Sequence, residues 1–352
     1  MQNLIQGRVC LPARSAVMKW RPLAVIIAIL AMLLGTWPGS TPLRAAEPDV
    51  PDVMFLSGSN MAPDLYSYKI GGSPKKVPLK GVVDCVLTRD GSTIYLVEMQ
   101  PGHELPPRTF YYGNWQMLEV PRVQISRANS DGSDKRVLFK VPNGTFASQL
   151  ALSADDTMLA FEWAAQRRVG VRIMSVTGGT PQAVVLPTVP GFDLGYDSCY
   201  CPSFTDNGKS LLVSVSCLSD DPLDGVVINL RTGRGKAVRR GVNSSSRRAV
   251  SSPDGSLILF ADLPGSLYSS KADGSAVHMV RKVAQESWIQ LYTWARDGRS
   301  VFYTVARSGA QTKPTDSLWN VQCDGSNPTK VAELGTYEGG FNSSRGSWLP
   351  DW

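Results

Sequence analysis

The chain has 352 residues, 43% of them hydrophobic and 19% charged, with 32 Gly and 24 Pro that follow no triplet period. This composition excludes a disordered chain, a collagen and a small single-core module, and indicates frequent turns. The net charge of +6 resides in the leader: residues 1–46 hold Arg8, Arg14, Lys19, Arg21 and Arg44 without any acid, and removing those five from 36 leaves 31 basic against 30 acidic side chains. A nearly neutral body lacks the electrostatic footprint that phosphate binding requires, so nucleic acid is not an expected partner.

The leader has the order of a secretory signal. Lys19 and Arg21 form a positive flank, Leu23 to Leu34 are 12 consecutive apolar residues, and Leu43-Arg44-Ala45-Ala46 supplies small residues before Glu47. Twelve residues at about 1.5 Å each reach about 18 Å, short of a hydrocarbon core of about 30 Å. Residues 1–46 are therefore expected to be removed, with translation starting at Met1 or Met18. A domain of residues 47–352 would remain in the periplasm or outside the cell, with no stable membrane span. Cys10 precedes the apolar run and is no lipoprotein cysteine.

After the leader comes a phrase that occurs six times: an apolar or small residue, two variable residues, Asp or Asn, then usually Gly. It reads Leu87-Thr88-Arg89-Asp90-Gly91, Leu152-Ser153-Ala154-Asp155-Asp156, Phe204-Thr205-Asp206-Asn207-Gly208, Ser251-Ser252-Pro253-Asp254-Gly255, Trp294-Ala295-Arg296-Asp297-Gly298 and Trp348-Leu349-Pro350-Asp351-Trp352. The Asp/Asn column advances by about 52 residues on average, the length of a four-stranded propeller blade with variable loops. Between these phrases lie tight turns at Gly71-Gly72, Asp131-Gly132, Gly178-Gly179, Thr232-Gly233, Asp273-Gly274 and Asp324-Gly325. Asp-Gly and Gly-Gly between alternating runs are hairpin signals, so each unit is two hairpins in series.

One unit predicts strands at 247–251, 257–260, 267–269 and 277–280. The first unit, with Val53 to Leu56, Leu65 to Ile70 and Lys75 to Leu79, supplies only strands two to four of a blade. Residues 341–350 supply a first strand with nothing after it. The expected fold is all-β, a six-bladed β-propeller closed by pairing of this C-terminal strand with the N-terminal blade, which removes two free sheet edges.

The Ser252-Pro253-Asp254-Gly255 turn, its five degenerate copies and the Asp-Gly-Ser turns at 131, 273 and 324 resemble the WD-repeat-like propeller repeats of TolB-type proteins, over residues 50 to 352. The resemblance implies a TolB-like propeller. TolB proteins carry a small α/β domain ahead of the propeller, whereas only Glu47 to Asp52 precede the first strand here, so their partner contacts do not carry over. The turns are also similar to those of prolyl-oligopeptidase-like propellers, but those peptidases need an appended Gly-x-Ser-x-Gly hydrolase domain, for which this sequence has no match.

Catalytic material is scarce. The chain holds only His103 and His278, so neither a Ser/His/Asp triad nor a histidine-rich metal site is expected, and no catalytic residue, metal or cofactor is assigned. Cys199-Tyr200-Cys201 is too closely spaced for a zinc pair. Five cysteines follow the leader, Cys85, Cys199, Cys201, Cys217 and Cys323, an odd number that leaves at least one unpaired or intermolecular. A hairpin turning between Asn207 and Gly208 sets Cys199 opposite Cys217, a candidate cross-strand disulfide with Cys201 as competitor.

Two binding surfaces are expected. Counting six residues back from each Asp/Asn gives Asp84, Gln149, Cys201, Arg248, Leu291 and Arg345 as the channel column. There Arg248 and Arg345 would hold an acidic group and Asp84 and Gln149 orient it, or these groups pair with one another. The insertion from Met99 to Arg122 carries His103, Phe110, Tyr111, Tyr112 and Trp115, an aromatic cluster suited to partner contact or to packing over neighbouring blades. Three functions stay open: an exported, non-enzymatic propeller binding a protein or peptide through a ring face or channel mouth; a propeller enzyme acting on a carbohydrate or peptide-like substrate through acids such as Asp84 or Glu104; and a passive structural module of the envelope.

Overall fold

The computed structural model describes residues 50–57, 64–103, 121–165, 168–187, 200–215, 225–238, 249–262, 265–284, 287–307 and 315–336. All regular structure among them is β. Among the described residues no helix is long and apolar enough to cross a membrane.

Among the described residues, 23 strands form six antiparallel sheets in chain order. The first holds β1 (Val53–Ser57), β2 (Asp64–Tyr68) and β3 (Lys75–Val77). The second holds β4 (Val82–Leu87), β5 (Thr93–Met99), β6 (Val123–Asn129) and β7 (Arg136–Lys140), and the third β8 (Thr145–Leu152), β9 (Met158–Ala165), β10 (Arg168–Ser175) and β11 (Gln182–Ala183). The fourth holds β12 (Tyr200–Thr205), β13 (Ser210–Val215), β14 (Gly225–Asn229) and β15 (Gly235–Val238). The fifth holds β16 (Ala249–Ser251), β17 (Leu257–Ala261), β18 (Ser266–Lys271) and β19 (His278–Lys282), matching the predicted unit to within a few residues. The last holds β20 (Ser287–Trp294), β21 (Ser300–Arg307), β22 (Thr315–Gln322) and β23 (Thr329–Thr336).

The repeated Asp explains why each first hairpin turns where it does. Asp90 accepts the Thr88 hydroxyl at 2.6 Å and the Ser92 N–H at 3.0 Å, and Asp254 does the same with Ser252 at 2.6 Å and Ser256 at 3.1 Å. These bonds close the turn on itself. Gly91 completes its turn at φ 75°, and a β-carbon there would lie 2.9 Å from Val50, so the first sheet's approach also requires glycine.

Each sheet has two faces to cover, and alternation divides its apolar residues between them. On β5, Ile94 and Leu96 join a cluster with Met54, Leu56 and Leu65 of the first sheet. Tyr95, Val97 and Met99 join Phe146, Leu150 and Phe161 of the third. Similar clusters link the third sheet to the fourth, the fourth to the fifth and the fifth to the sixth. One more joins Val53, Phe55 and Tyr68 of the first sheet to Ala295, Phe302 and Leu318 of the sixth. An open stack of six sheets has five interfaces. The sixth makes the arrangement a ring, a six-bladed β-propeller. The ring thus closes by packing of the first sheet on the last; the predicted closing strand at 341–350 lies outside the described residues.

Candidate functional site

The first strands of the second to sixth sheets touch in succession, β4 with β8, then β12, β16 and β20, and so line the axis, while β1 of the first sheet packs beside β4. Because each sheet is an antiparallel meander, all Asp/Asn turns fall on one ring face and the loop from β5 to β6 on the other. The insertion leaves and returns on that opposite face, where the Gln100 N–H donates to Arg122 O at 2.8 Å.

Polar groups stitch the sheets together along the axis. Asp84 of β4 is buried, and its Oδ2 accepts the Leu150 N–H of β8 at 2.6 Å while Oδ1 accepts the Cys85 N–H at 2.9 Å. Ser203 Oγ accepts the Ser251 N–H at 2.7 Å, joining the fourth and fifth sheets. Trp294 Nε1 donates to Val250 O at 3.0 Å, joining the fifth and sixth.

On the turn face the axis opens into a mouth of about 540 Å³, counting the space open to solvent, to which five sheets contribute. Asp52 comes from the segment entering the first sheet, Arg89 from the second, Asp156 from the third, Pro253 from the fifth, and Trp294 and Arg296 from the sixth. Arg296 bridges the seam: its Nη2 lies 3.6 Å from Asp52 Oδ1 and its Nη1 donates to Arg89 O at 3.3 Å. Its Nε is buried without a partner among the described residues. Asp156 accepts the Arg89 N–H at 3.2 Å, and burial lifts its carboxyl above the usual range despite that bond. Asp90 beside it moves the other way, held down by the Thr88 hydroxyl and the Ser92 N–H. The mouth therefore presents a guanidinium and two carboxylates, those of Asp52 and Asp156, a surface suited to polar and charged ligand groups.

The predicted channel column is only partly assembled. Gln149 and Cys201 line one small recess inside the channel, with a cavity volume of only about 10 Å³, together with Leu150, Pro202, Ser203, Ala249 and Val250. Asp84 is buried between the second and third sheets, and both its oxygens accept backbone N–H groups. Arg248 and Arg345 lie outside the described residues, as does the side chain of Leu291. In the insertion, His103 is exposed and its N–H closes a turn on Gln100 O at 3.1 Å; Phe110, Tyr111, Tyr112 and Trp115 lie outside the described residues. So do Cys199 and Cys217. The hairpin next to them pairs Tyr200 with Val215 and Cys201 with Ser214.

The sequence reading passed over the seam pair Asp52 and Arg296 and two buried acids. Glu98 accepts bonds from Gln124 at 2.9 Å, Ser126 at 2.6 Å and Lys135 at 2.9 Å, and Glu162 accepts one from Ser148 at 3.0 Å. A Glu within a continuous apolar strand was the available signal for both. Among the described residues no group of three or more His, Cys, Asp or Glu converges to hold a metal ion.

A ring of six repeated antiparallel sheets around a polar-mouthed axis defines a β-propeller. No protein-family model and no curated protein matches the sequence. Among solved structures, that of a putative TolB from Agrobacterium tumefaciens covers 83% of this chain and 91% of its own, at 14% identity and a TM-score of 0.53. That of TolB from Acinetobacter baumannii covers 84% of this chain at 14% identity and a TM-score of 0.55, and the match spans 64% of that protein's chain, less than two thirds of its length. At such identity the likeness is one of fold: this is a TolB-like six-bladed propeller.

Proposed function

We propose that this chain is an exported, non-enzymatic propeller that binds a protein or peptide partner through its channel mouth. The observation that carries the reading is the mouth itself, where residues of five sheets converge on Arg296, Asp52 and Asp156. The likeness to TolB structures supports a propeller of the binding kind, and the leader at residues 1–46 supports export to the periplasm or the exterior. The insertion, whose described ends lie on the opposite face, supplies a second contact surface in this proposal through its aromatic residues.

The closing strand belongs to the same proposal. Among the described residues the first sheet has three strands where each of the others has four, and Asp351 continues the phase of the Asp/Asn column. Residues 341–350 then pair with β1 as its missing neighbour. The remaining cysteine proposal is a Cys199–Cys217 disulfide.

Chemical crosslinking of the exported protein in its own cells, followed by isolation and mapping of the crosslinked lysines, tests the function. One reproducible protein or peptide attached at one ring face is the expected outcome. Turnover in a broad screen of glycans and peptides, with no attached partner, would replace it with the enzyme reading.

A further inference from the structure

Where Asn or Asp stands directly before Gly, the glycine nitrogen attacks the preceding side-chain carbonyl more easily than other backbone nitrogens do, because no β-carbon crowds its approach. Among the described residues this pair occurs as Asp-Gly at Asp90, Asp131, Asp254, Asp273, Asp297 and Asp324, and as Asn-Gly at Asn143 and Asn207. In all of them except Asn143-Gly144 the fold holds the nucleophile back: the glycine N–H donates to the carbonyl three residues earlier, at 2.8 to 3.1 Å. The carboxylates of the Asp-Gly turns are also poorer targets than a carboxamide. At Asn207, the Gly208 N–H is bonded to Thr205 O at 3.1 Å, and a β-carbon on Gly208 would lie 3.5 Å from Ser153.

Asn143-Gly144 sits in the link from β7 to β8. There the Thr145 N–H donates to Pro142 O at 3.1 Å and Gly144 takes a φ of 75°. This turn is closed by the residue after the glycine, so the Gly144 N–H has no acceptor among the described residues. Both Asn143 and Gly144 are exposed, and a β-carbon on Gly144 would meet no atom within 4 Å. We infer that Asn143 is a modification site, the residue at which the native protein deamidates. Water is the co-reactant. The Gly144 nitrogen loses its proton to hydroxide and bonds to Cγ of Asn143; the Cγ–Nδ2 bond breaks, and Nδ2 leaves as ammonia with a proton from water. Water then adds to one carbonyl of the resulting succinimide ring and reopens it. Cleavage of the ring bond between Cγ and the Gly144 nitrogen gives aspartate, and cleavage at the main-chain carbonyl gives isoaspartate. In sum one water is consumed, one ammonia is released, OH replaces NH2 and no electron is transferred. The product places a new carboxylate where β7 ends, on the face opposite the mouth, and isoaspartate lengthens the main chain inside the turn that Pro142 and Thr145 close.

The test incubates the intact protein at mildly alkaline pH, both native and in guanidinium chloride. Mass spectrometry follows the tryptic peptides that hold Asn143 and Asn207, with isoaspartate separated from aspartate by chromatography. In guanidinium neither glycine N–H is tied, and the ratio of the two rates there is the reference. The native ratio, Asn143 over Asn207, should exceed that reference by about tenfold, the factor for one hydrogen bond broken before reaction. Asn143→Gln should abolish the conversion in the first peptide, because the longer side chain does not close the same ring. A native ratio at or below the reference, no native conversion at Asn143, or an unchanged conversion of that peptide in Asn143→Gln would overturn the assignment.

Discussion

The Tyr68 ring on β2 meets Phe302 of β21 edge to face, with centroids 5.8 Å apart and planes at 85°. The two residues are far apart in the chain, and their contact is the centre of the seam that joins the first sheet to the last. Phe302 is fully buried there. Phe302→Ala removes this contact and leaves a cavity, so it should lower stability by about 3 to 5 kcal/mol in equilibrium denaturation. Hydrogen exchange should accelerate first in β1 to β3. An effect near zero would mean that the seam contributes nothing to the ring.

Asp84 makes a second inter-sheet contact through its bond to the Leu150 N–H. Asp84→Ala leaves buried N–H groups without their acceptor and should cost about 2 to 3 kcal/mol in urea denaturation. Asp84→Asn keeps one of the two acceptor oxygens but turns its amide N–H toward the other backbone N–H, so it should recover only part of that loss. Equal losses for the two variants would show that the site requires both carboxylate oxygens as acceptors.

Acid should weaken the fold through its turns. The carboxyls of Asp131, Asp273 and Asp324 are held below the usual range by the hydroxyl and N–H of the serine two residues on. Asp155 is held down by the Ser153 and Thr157 hydroxyls, and Asp90 by the Thr88 hydroxyl and Ser92. In Asp254 burial pushes the other way, but Ser252 and Ser256 outweigh it. A depressed folded value means that these groups stabilise the protein above the unfolded carboxyl value near 3.8, and that the contribution is lost as pH falls through the lowered values. Asp156, raised chiefly by burial, works in the opposite sense and gains as pH falls. The six outnumber the one, so denaturation midpoints should fall steadily below about pH 4. Asp254→Asn should flatten that slope, and an unchanged slope in this variant would count against the turn assignment.

Burial pushes the Cys85 thiol well up, and the neighbouring Asp84 carboxylate adds to the effect. The native protein should therefore leave Cys85 unlabelled by iodoacetamide at neutral pH, and denaturation should expose it. Peptide mapping by mass spectrometry reads this directly, and the same non-reducing map tests the proposed Cys199–Cys217 link. Rapid native labelling of Cys85 would contradict its placement in the core.

The architecture was legible because its signals are local. A turn such as Asp254-Gly255-Ser256 closes through atoms two residues apart, so sequence reveals it, and six copies reveal the repeat. The channel column was less legible. Counting a fixed number of residues from each Asp assumes an unbroken strand, but register shifts fall between Val82 and Asp84, Ser148 and Ala151, and Ile289 and Tyr292. These shifts give Asp84 and Gln149 different tasks although they share a column. No residue type announces the left-handed φ of 58° that Gln149 takes. The Asp52–Arg296 pair was hidden for another reason: it exists only once the first and last sheets meet.

The most direct measurement of the central claim is in-cell photo-crosslinking from single probe positions. A benzoylphenylalanine replaces either Arg89, exposed at the mouth, or Val185, 77% exposed on another part of the surface. A discrete protein or peptide adduct from position 89 and none from position 185 is the result predicted for a propeller that binds through its mouth. Adducts of equal yield from both positions, or none from position 89, would contradict it.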